Sequence, residues 1–363
     1  KEWMNENKIS TKHYIIFIYA VTFVSLKIYC SQFITIGGRD TWICLIAAFI
    51  LLIGIATYLL DVIARKGNYS INNIFTIGLS KTMGNILLFL FAIGLFLSSL
   101  EAAMVEANCI KTCFFLPTPQ WYILLFFLLP SFFLISKKVR TVLIFTTINV
   151  ISFIVNCLIL SIFSEPYKNT EYILPVFGNN LTIGNYFNCI LLLLGCISSF
   201  AISLPYLKHL TKADNLKKHS LIALCTIALY SIYSMIGIIS CFGPSRAGNL
   251  FYPEYTMSQR IQLGGFIDFG ELFFLMEAVV GLFLKYLLST YGIYIIYKKY
   301  IKNKKIYIGT YSIIIFILAS LLSKNNYILF NILKYYNYSN LFFFILIPLI
   351  AFTAFSMKSS RKA

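Results

Sequence analysis

Apolar runs alternate with short charged or turn-rich breaks along the whole chain. The runs fall at about 14–34, 41–64, 83–115, 120–136, 140–163, 183–207, 219–242, 266–298, 305–323 and 339–357. Each is long enough to cross a hydrocarbon layer as helix, so the pattern predicts ten transmembrane helices. The polar loop 164–182 divides them five and five. The whole of 1–363 is therefore expected to be one transmembrane domain. Its first repeat covers about 10–163 and its second about 183–323, with the helix 339–357 completing the second. The third and eighth runs exceed the bilayer thickness and should tilt or protrude. The first run is too long for the apolar core of a cleavable signal and is followed by many more.

Composition agrees with this division. Charged residues are 12% of the chain and hydrophobic residues 59%, whereas soluble domains hold about 25% charged residues. The net charge of +17 would suggest nucleic acid in a soluble protein; in a membrane protein it gathers in cytoplasmic loops. Placing the N-terminus inside puts Lys1, Lys8, Lys12, Arg65, Lys66, Lys81, Lys137, Lys138, Arg140, Lys208, Lys212, Lys217 and Lys218 there, with the basic clusters at 298–305 and 358–362. The outer segments then hold Arg39, Lys111, Lys168, Arg246, Arg260, Lys324 and Lys334. That bias of roughly three to one predicts two cytoplasmic termini. No P-loop is present, and the nine cysteines form no Cys-x-x-Cys pair, so they read as small packing residues and not as a metal or redox site. No cofactor is implied.

Lys27 and Lys285 remain inside apolar runs, as do Glu101, Glu106 and Glu277. A lysine at membrane depth costs about 2.5–3.5 kcal/mol even on lenient scales, so each must face a partner, a wet cavity or the interface. Lys27 lies about 10 Å from the outer end of its run at 1.5 Å per residue, so snorkelling competes with a site role. Glu101 lies near the middle of its run on a short stem, which favours an inward-facing role. Glu106, five residues on, is about 140° around the helix, which argues against a paired-carboxylate catalytic site. Glu277, Gly281 and Lys285 recur at i, i+4 and i+8 on one stripe; the glycine allows close helix approach or leaves room for a ligand. Thr22, Ser25, Ser198, Ser199 and Ser203 offer hydroxyls, which in helices often bond their own backbone. Gly195, Ser198, Ser199 and Pro205 make the sixth run interruptible, as in transporters whose repeats begin with broken helices. The first run lacks Gly and Pro.

Short motifs recur in a recognisable order. Ile9-Ser10 opens the first run, and Gly38-Arg39-Asp40-Thr41-Trp42 starts the second. Leu116-Pro117-Thr118-Pro119-Gln120-Trp121 joins the third and fourth, and Tyr252-Pro253-Glu254 with Gln259-Arg260-Ile261 fills the loop 243–265. Glu271-Leu272-Phe273 leads into Phe283-Leu284-Lys285. Together these resemble the permease-like B subunits of spore germinant receptors, the GerAB family, over nearly the whole chain.

The resemblance implies a LeuT-like all-α membrane fold of the amino acid/polyamine/organocation transporter superfamily, with a five-plus-five inverted repeat. It implies a sensor of small nutrients such as amino acids in the inner membrane of the bacterial endospore, working with an A-type membrane subunit and a C-type lipoprotein subunit. It places ligand between the first, third, sixth and eighth runs. On this chain those are Thr22, Val24, Ser25, Leu26 and Lys27; Ser98, Glu101, Ala102 and Glu106; Cys196, Ser198 and Ser199; and Glu277, Gly281 and Lys285. Val24, Ser25 and Leu26 stand where family members usually carry glycines, and Cys196-Ile197-Ser198 where a Gly-aromatic-acid pattern is common. A proton-coupled amino-acid transporter of the same fold is the competing expectation. A membrane-embedded enzyme is not expected, because His13, His209 and His219 all lie near inner span ends and no acid–histidine pair is evident.

Overall fold

The first apolar run is broken twice. In the computed structural model, which describes residues 10–67, 69–177, 181–210, 215–263 and 267–360, it divides into α1 (Thr11–Thr22), α2 (Val24–Ile28) and α3 (Ser31–Gly37). Lys1, Lys8, Lys212, Arg361 and Lys362 of the charge bias and Ile9 of the motif series lie outside the described residues, as does the side chain of Asp268. Phe23 ends α1 and opens α2 at φ −118°, ψ −4°, and Tyr29 ends α2 at φ −122°, ψ 45°. Neither break uses Gly or Pro. Val21, Thr22 and Val24 are β-branched and lose side-chain freedom in a helix. The Thr22 hydroxyl donates back to the Ile18 carbonyl at 2.6 Å, which loosens the local ladder. The freed carbonyls of Val21 and Thr22 accept from Ser199 Oγ at 2.8 and 3.4 Å, so the break is satisfied from another part of the chain.

A 3-10 turn at Gly38–Asp40 leads from α3 into α4 (Thr41–Lys66), which Gly67 closes at φ +62°, a left-handed cap that suits glycine. The short α5 (Ile71–Gly78) precedes α6 (Lys81–Cys113), whose Ser80 cap accepts from the Met83 N–H at 3.2 Å. Next come α7 (Gln120–Ser136) and α8 (Val139–Ser164). After the loop, α9 (Ile183–Ile197) passes into a 12-residue 3-10 helix over Ser198–His209. Runs of that geometry beyond 3–4 residues are uncommon and often mark a hinge. The sixth span is thus interrupted where the Ser198 hydroxyl turns back to the Gly195 carbonyl, while the single Ser199 proton is shared between the Cys196 carbonyl and those at the end of α1.

The remainder is α10 (Leu216–Phe242), α11 (Pro244–Asn249), α12 (Pro253–Ser258), a hairpin of β1 (Gln262–Leu263) and β2 (Ile267–Asp268), α13 (Gly270–Tyr297), α14 (Lys304–Leu322), α15 (Asn326–Asn340) and α16 (Ile347–Ser360). A π-turn over Leu341–Leu346 joins the last two; Pro348, which lacks an N–H, removes the regular bond there. Nine helical stretches among the described residues are long and apolar enough to cross a membrane. The tenth expected span, α7, is shorter at 17 residues.

Two boundaries differ from the sequence pattern. The eighth span begins at Gly270, because Gln262–Leu263 and Ile267–Asp268 pair as short antiparallel strands before it. The last helix begins at Asn326, not near 339, because the tract 326–340 is an amphipathic helix that buries Leu329, Leu333, Tyr336, Asn337 and Asn340. Its polarity points inward: Asn337 Nδ2 donates to Gln32 Oε1 at 3.0 Å, and Gln32 Nε2 to the Phe330 carbonyl at 2.5 Å. Ile50, Phe126, Leu129, Ile148, Ile162 and Leu229 are more than half exposed, an apolar exterior suited to lipid. α13 packs along α6, α8 and the 3-10 segment and touches α2, which brings the interrupted helices and the polar stripe together.

Candidate functional site

Two buried charge clusters sit at either end of the contact between α2 and α13. The stripe on α13 faces α2 along its length. A Cβ built at Gly281 would lie 2.8 Å from Val24 Cγ1 and 2.9 Å from Phe153 Cε2. The glycine therefore serves close helix approach, and the stripe's two charges flank that contact.

At one end, Lys285 meets Glu101. The ammonium is 2.8 Å from Glu101 Oε2 and donates to Ser25 Oγ at 2.6 Å. Ser25 in turn donates to Glu101 Oε1 at 2.7 Å, and the Tyr29 hydroxyl donates to the same oxygen at 3.0 Å. Lys285 and Glu101 are 0% and 1% exposed. The Lys285 ammonium is 5.5 Å from the centre of the Tyr336 ring, whose hydroxyl is hydrogen-bonded to Ser98 at 2.9 Å. The carboxyl thus gathers three donors, Lys285, Ser25 and Tyr29.

At the other end, Lys27 lies between two carboxyls. It is 4% exposed, which removes the snorkelling alternative. Its ammonium pairs with Glu277 of α13 and, at 2.9 Å, with Glu254 Oε1 of α12. It also donates to the Tyr230 hydroxyl at 3.1 Å, and that hydroxyl donates to the Cys157 carbonyl at 2.9 Å. The Cys157 thiol donates to Glu277 Oε1 at 3.2 Å. Glu254 Oε2 and Glu277 Oε2 have no hydrogen-bond partner among the described residues. One ammonium facing two carboxyls cannot hold both as anions cheaply. Burial, with Glu277 beside it, pushes the Glu254 carboxyl up to about 8. A cavity of about 10 Å³ adjoins Lys27, roughly the room one water requires.

The remaining expected residues are dispersed. Thr22 and Ser198 bond their own helices, and Ser199 caps the end of α1. Cys196 lies beside the Tyr29 hydroxyl, close to the Lys285 cluster. Leu26 lines the cavity beside Lys27. Ala102 is buried in α6. Glu106 is 4% exposed, and its Oε2 has no hydrogen-bond partner among the described residues.

The sequence reading missed Tyr29, Tyr230, Tyr336 and the role of Glu254. Tyr29 stands four residues after Ser25, one helical turn, and that spacing could have found it. Glu254 could not be found this way, because a carboxylate in a polar loop carries no signal of burial.

Among the described residues, no group of three or more His, Cys, Asp and Glu side chains is placed to hold a metal ion. The chemistry on offer is ion pairing and hydrogen bonding at interrupted helices, which suits recognition of a small polar molecule. Comparison with curated proteins finds no match. The model of the spore germination protein family, by contrast, matches residues 8–328, and the chain belongs to that family.

Proposed function

We propose that this multi-pass membrane protein is the permease-like, nutrient-sensing subunit of a spore germinant receptor. It would bind a small nutrient such as an amino acid near the membrane midplane, in a LeuT-like five-plus-five fold with both termini cytoplasmic. An A-type membrane subunit and a C-type lipoprotein subunit would pass the signal on, in the inner membrane of the endospore. The observation that carries the reading is the meeting of two interrupted spans. Ser199, at the start of the 3-10 segment, caps the carbonyls that the break after α1 sets free, and Lys27, Glu101, Glu277 and Lys285 flank that junction. Interrupted helices with freed backbone groups are where transporters of inverted-repeat design hold ligand. Binding would act by differential affinity for two conformations of the assembly.

The test is the nutrient response of spores carrying Lys27→Gln. A reduced response at an unchanged protein level supports the reading, and equal loss of both assigns the lysine to folding alone.

A second reading, a proton-coupled amino-acid transporter of the same fold, draws support from Glu106, a buried carboxyl without a basic partner among the described residues. Counterflow of labelled amino acid in liposomes that contain this chain alone would favour the transporter.

A further inference from the structure

We propose that Glu254 is an internal stand-in for a ligand carboxylate: it occupies Lys27 in this conformation, and a small carboxylate-bearing ligand takes its place as α12 withdraws. Three features of Glu254 set it apart from the other acids in the core. It arrives on a six-residue helix within a loop, whereas Glu101 and Glu277 are fixed in long membrane helices. It is 1% exposed, yet Lys27 is its single described partner, whereas Cys157 also holds Glu277, and Ser25 and Tyr29 also hold Glu101; its second oxygen, like theirs, has no hydrogen-bond partner among the described residues. Finally, Lys27 does not depend on it, because Glu277 pairs with the same ammonium and is itself held by Cys157. A buried carboxyl with one unsatisfied oxygen is held poorly, and its departure leaves no unpaired cation behind.

The space beside Lys27 shows what would replace it. Phe23, Leu26, Met235 and Ile238 form the apolar side of the cavity, and Ser231 and Ser234 bring hydroxyls. Ser231 Oγ is buried without a hydrogen-bond partner among the described residues, so the cavity already contains an unused polar group beside a cation. At about 10 Å³ it admits no ligand larger than water. Something must move, and α12, though it contributes no lining residue, is the neighbouring element that already presents a carboxyl to the cation. α12 packs on α2, α8, α10 and α13. Its tethers are hydroxyl and amide contacts: Tyr252 to Asn108 Oδ1 at 2.6 Å, Tyr255 to the Cys113 carbonyl at 2.6 Å, and Gln259 Nε2 to Glu271 Oε1 at 2.8 Å. Gly243, at φ +75°, starts the loop in a backbone conformation that suits glycine. A ligand with an ammonium as well as a carboxylate leaves every charge paired, since Lys27 takes the carboxylate and the released Glu254 takes the ammonium. A free α-amino acid with a compact side chain fits that requirement. This last step rests on the ligand site of the preceding section, whereas the latch itself does not.

The experiment uses the full chain in lipid nanodiscs, with its native cysteines replaced by serine and Met257 replaced by cysteine. Met257 lies on α12 and is 5% exposed, so withdrawal of α12 uncovers it. The readout is its rate of reaction with a charged methanethiosulfonate reagent. Glu254→Ala is expected to raise the rate at least tenfold and Glu254→Gln about threefold, with the elution profile unchanged because Lys27 keeps Glu277. Unchanged rates in both variants overturn the latch and leave the nutrient-sensing reading untouched. The chain with Glu254 intact is then exposed to each of the twenty standard amino acids and to the matching amino alcohols. Acceleration by an amino acid that its alcohol does not reproduce supports the carboxylate assignment. Acceleration by both, or by none of the set, overturns that assignment even where the latch stands.

Discussion

The two lysine clusters use the same pair of elements and differ in how fully they are satisfied. At the Lys285 end there is one cation and one acid, and three membrane segments close around them through Ser25, Tyr29 and Glu101. At the Lys27 end one cation serves two acids, one of them from a loop, and two carboxyl oxygens have no hydrogen-bond partner among the described residues, whereas the one such oxygen at the Lys285 end, Glu101 Oε2, faces its ammonium at 2.8 Å. A buried pair with one acid per cation and added hydroxyl donors rigidifies its surroundings, whereas a cation shared between two acids is where a structure can change at low cost. The first cluster therefore fixes α2 against α6 and α13, and the second leaves room for exchange.

Removing one acid from each end separates them most sharply. Glu101→Gln strands Lys285 at full burial with no second carboxylate, and breaking a buried pair in this way costs about 3–5 kcal/mol. Folded, monodisperse protein should fall severely, and Lys285→Met in the same chain should restore much of it. A single variant as abundant and heat-stable as the parent would show that the Lys285 end carries no such load. Glu277→Gln should cost less, about 1–3 kcal/mol, because Glu254 still faces Lys27 and the loss is mainly that of hydrogen bonds to a charged group. Its thermal midpoint should lie between those of Glu101→Gln and the parent. The reverse order would mean that Glu254 gives Lys27 no support.

Much of this site was legible because a charge inside an apolar run is costly and so must have a reason. Lys27, Glu101, Glu277 and Lys285 stood out on that ground alone, and the spacing of Glu277, Gly281 and Lys285 placed them on one face, which the contacts with Val24, Ser25 and Lys27 bear out. The breaks in the first span were not legible, because Val21, Thr22 and Val24 weaken a helix only slightly and the deciding partner, Ser199, lies far away in sequence. The start of the last helix was misplaced for a related reason. Asn337 falls before the run at 339–357 and reads as part of a break until Gln32 is seen to receive it. Glu254 shows the same limit, since burial of a loop residue is a property of the packing and not of the local pattern.

A smaller effect tests the hydroxyl that distinguishes the closed end. Tyr29→Phe removes one donor to Glu101 while Ser25 and Lys285 remain, and such a loss is worth about 1–2 kcal/mol. Tyr230→Phe at the open end removes an acceptor for Lys27, which keeps two carboxyls. It also removes a partner of Ser161 and a second donor to the Cys157 carbonyl, which lies inside α8 and keeps its helical bond, and it should cost less. Equal midpoints for the two variants would blur the distinction between the ends.

The finest comparison is in pH. The Glu254 carboxyl is pushed from its ordinary 4.5 up to about 8, first by burial and then by Glu277, against the opposing pull of Lys27. The folded chain therefore keeps a proton that the unfolded chain has lost. The stability linked to this group is fully present below 4.5 and is lost as pH rises toward about 8. Lys27, Glu277, Tyr230, Cys157, Cys30 and Cys109 are the charged and titratable groups around it. Glu254→Gln leaves all of them in place and removes the titration itself. The thermal midpoint of the parent should decline between pH 5 and pH 8 by a few degrees more than that of Glu254→Gln. Parallel slopes for the two chains would mean that Glu254 gains and loses its proton outside this range.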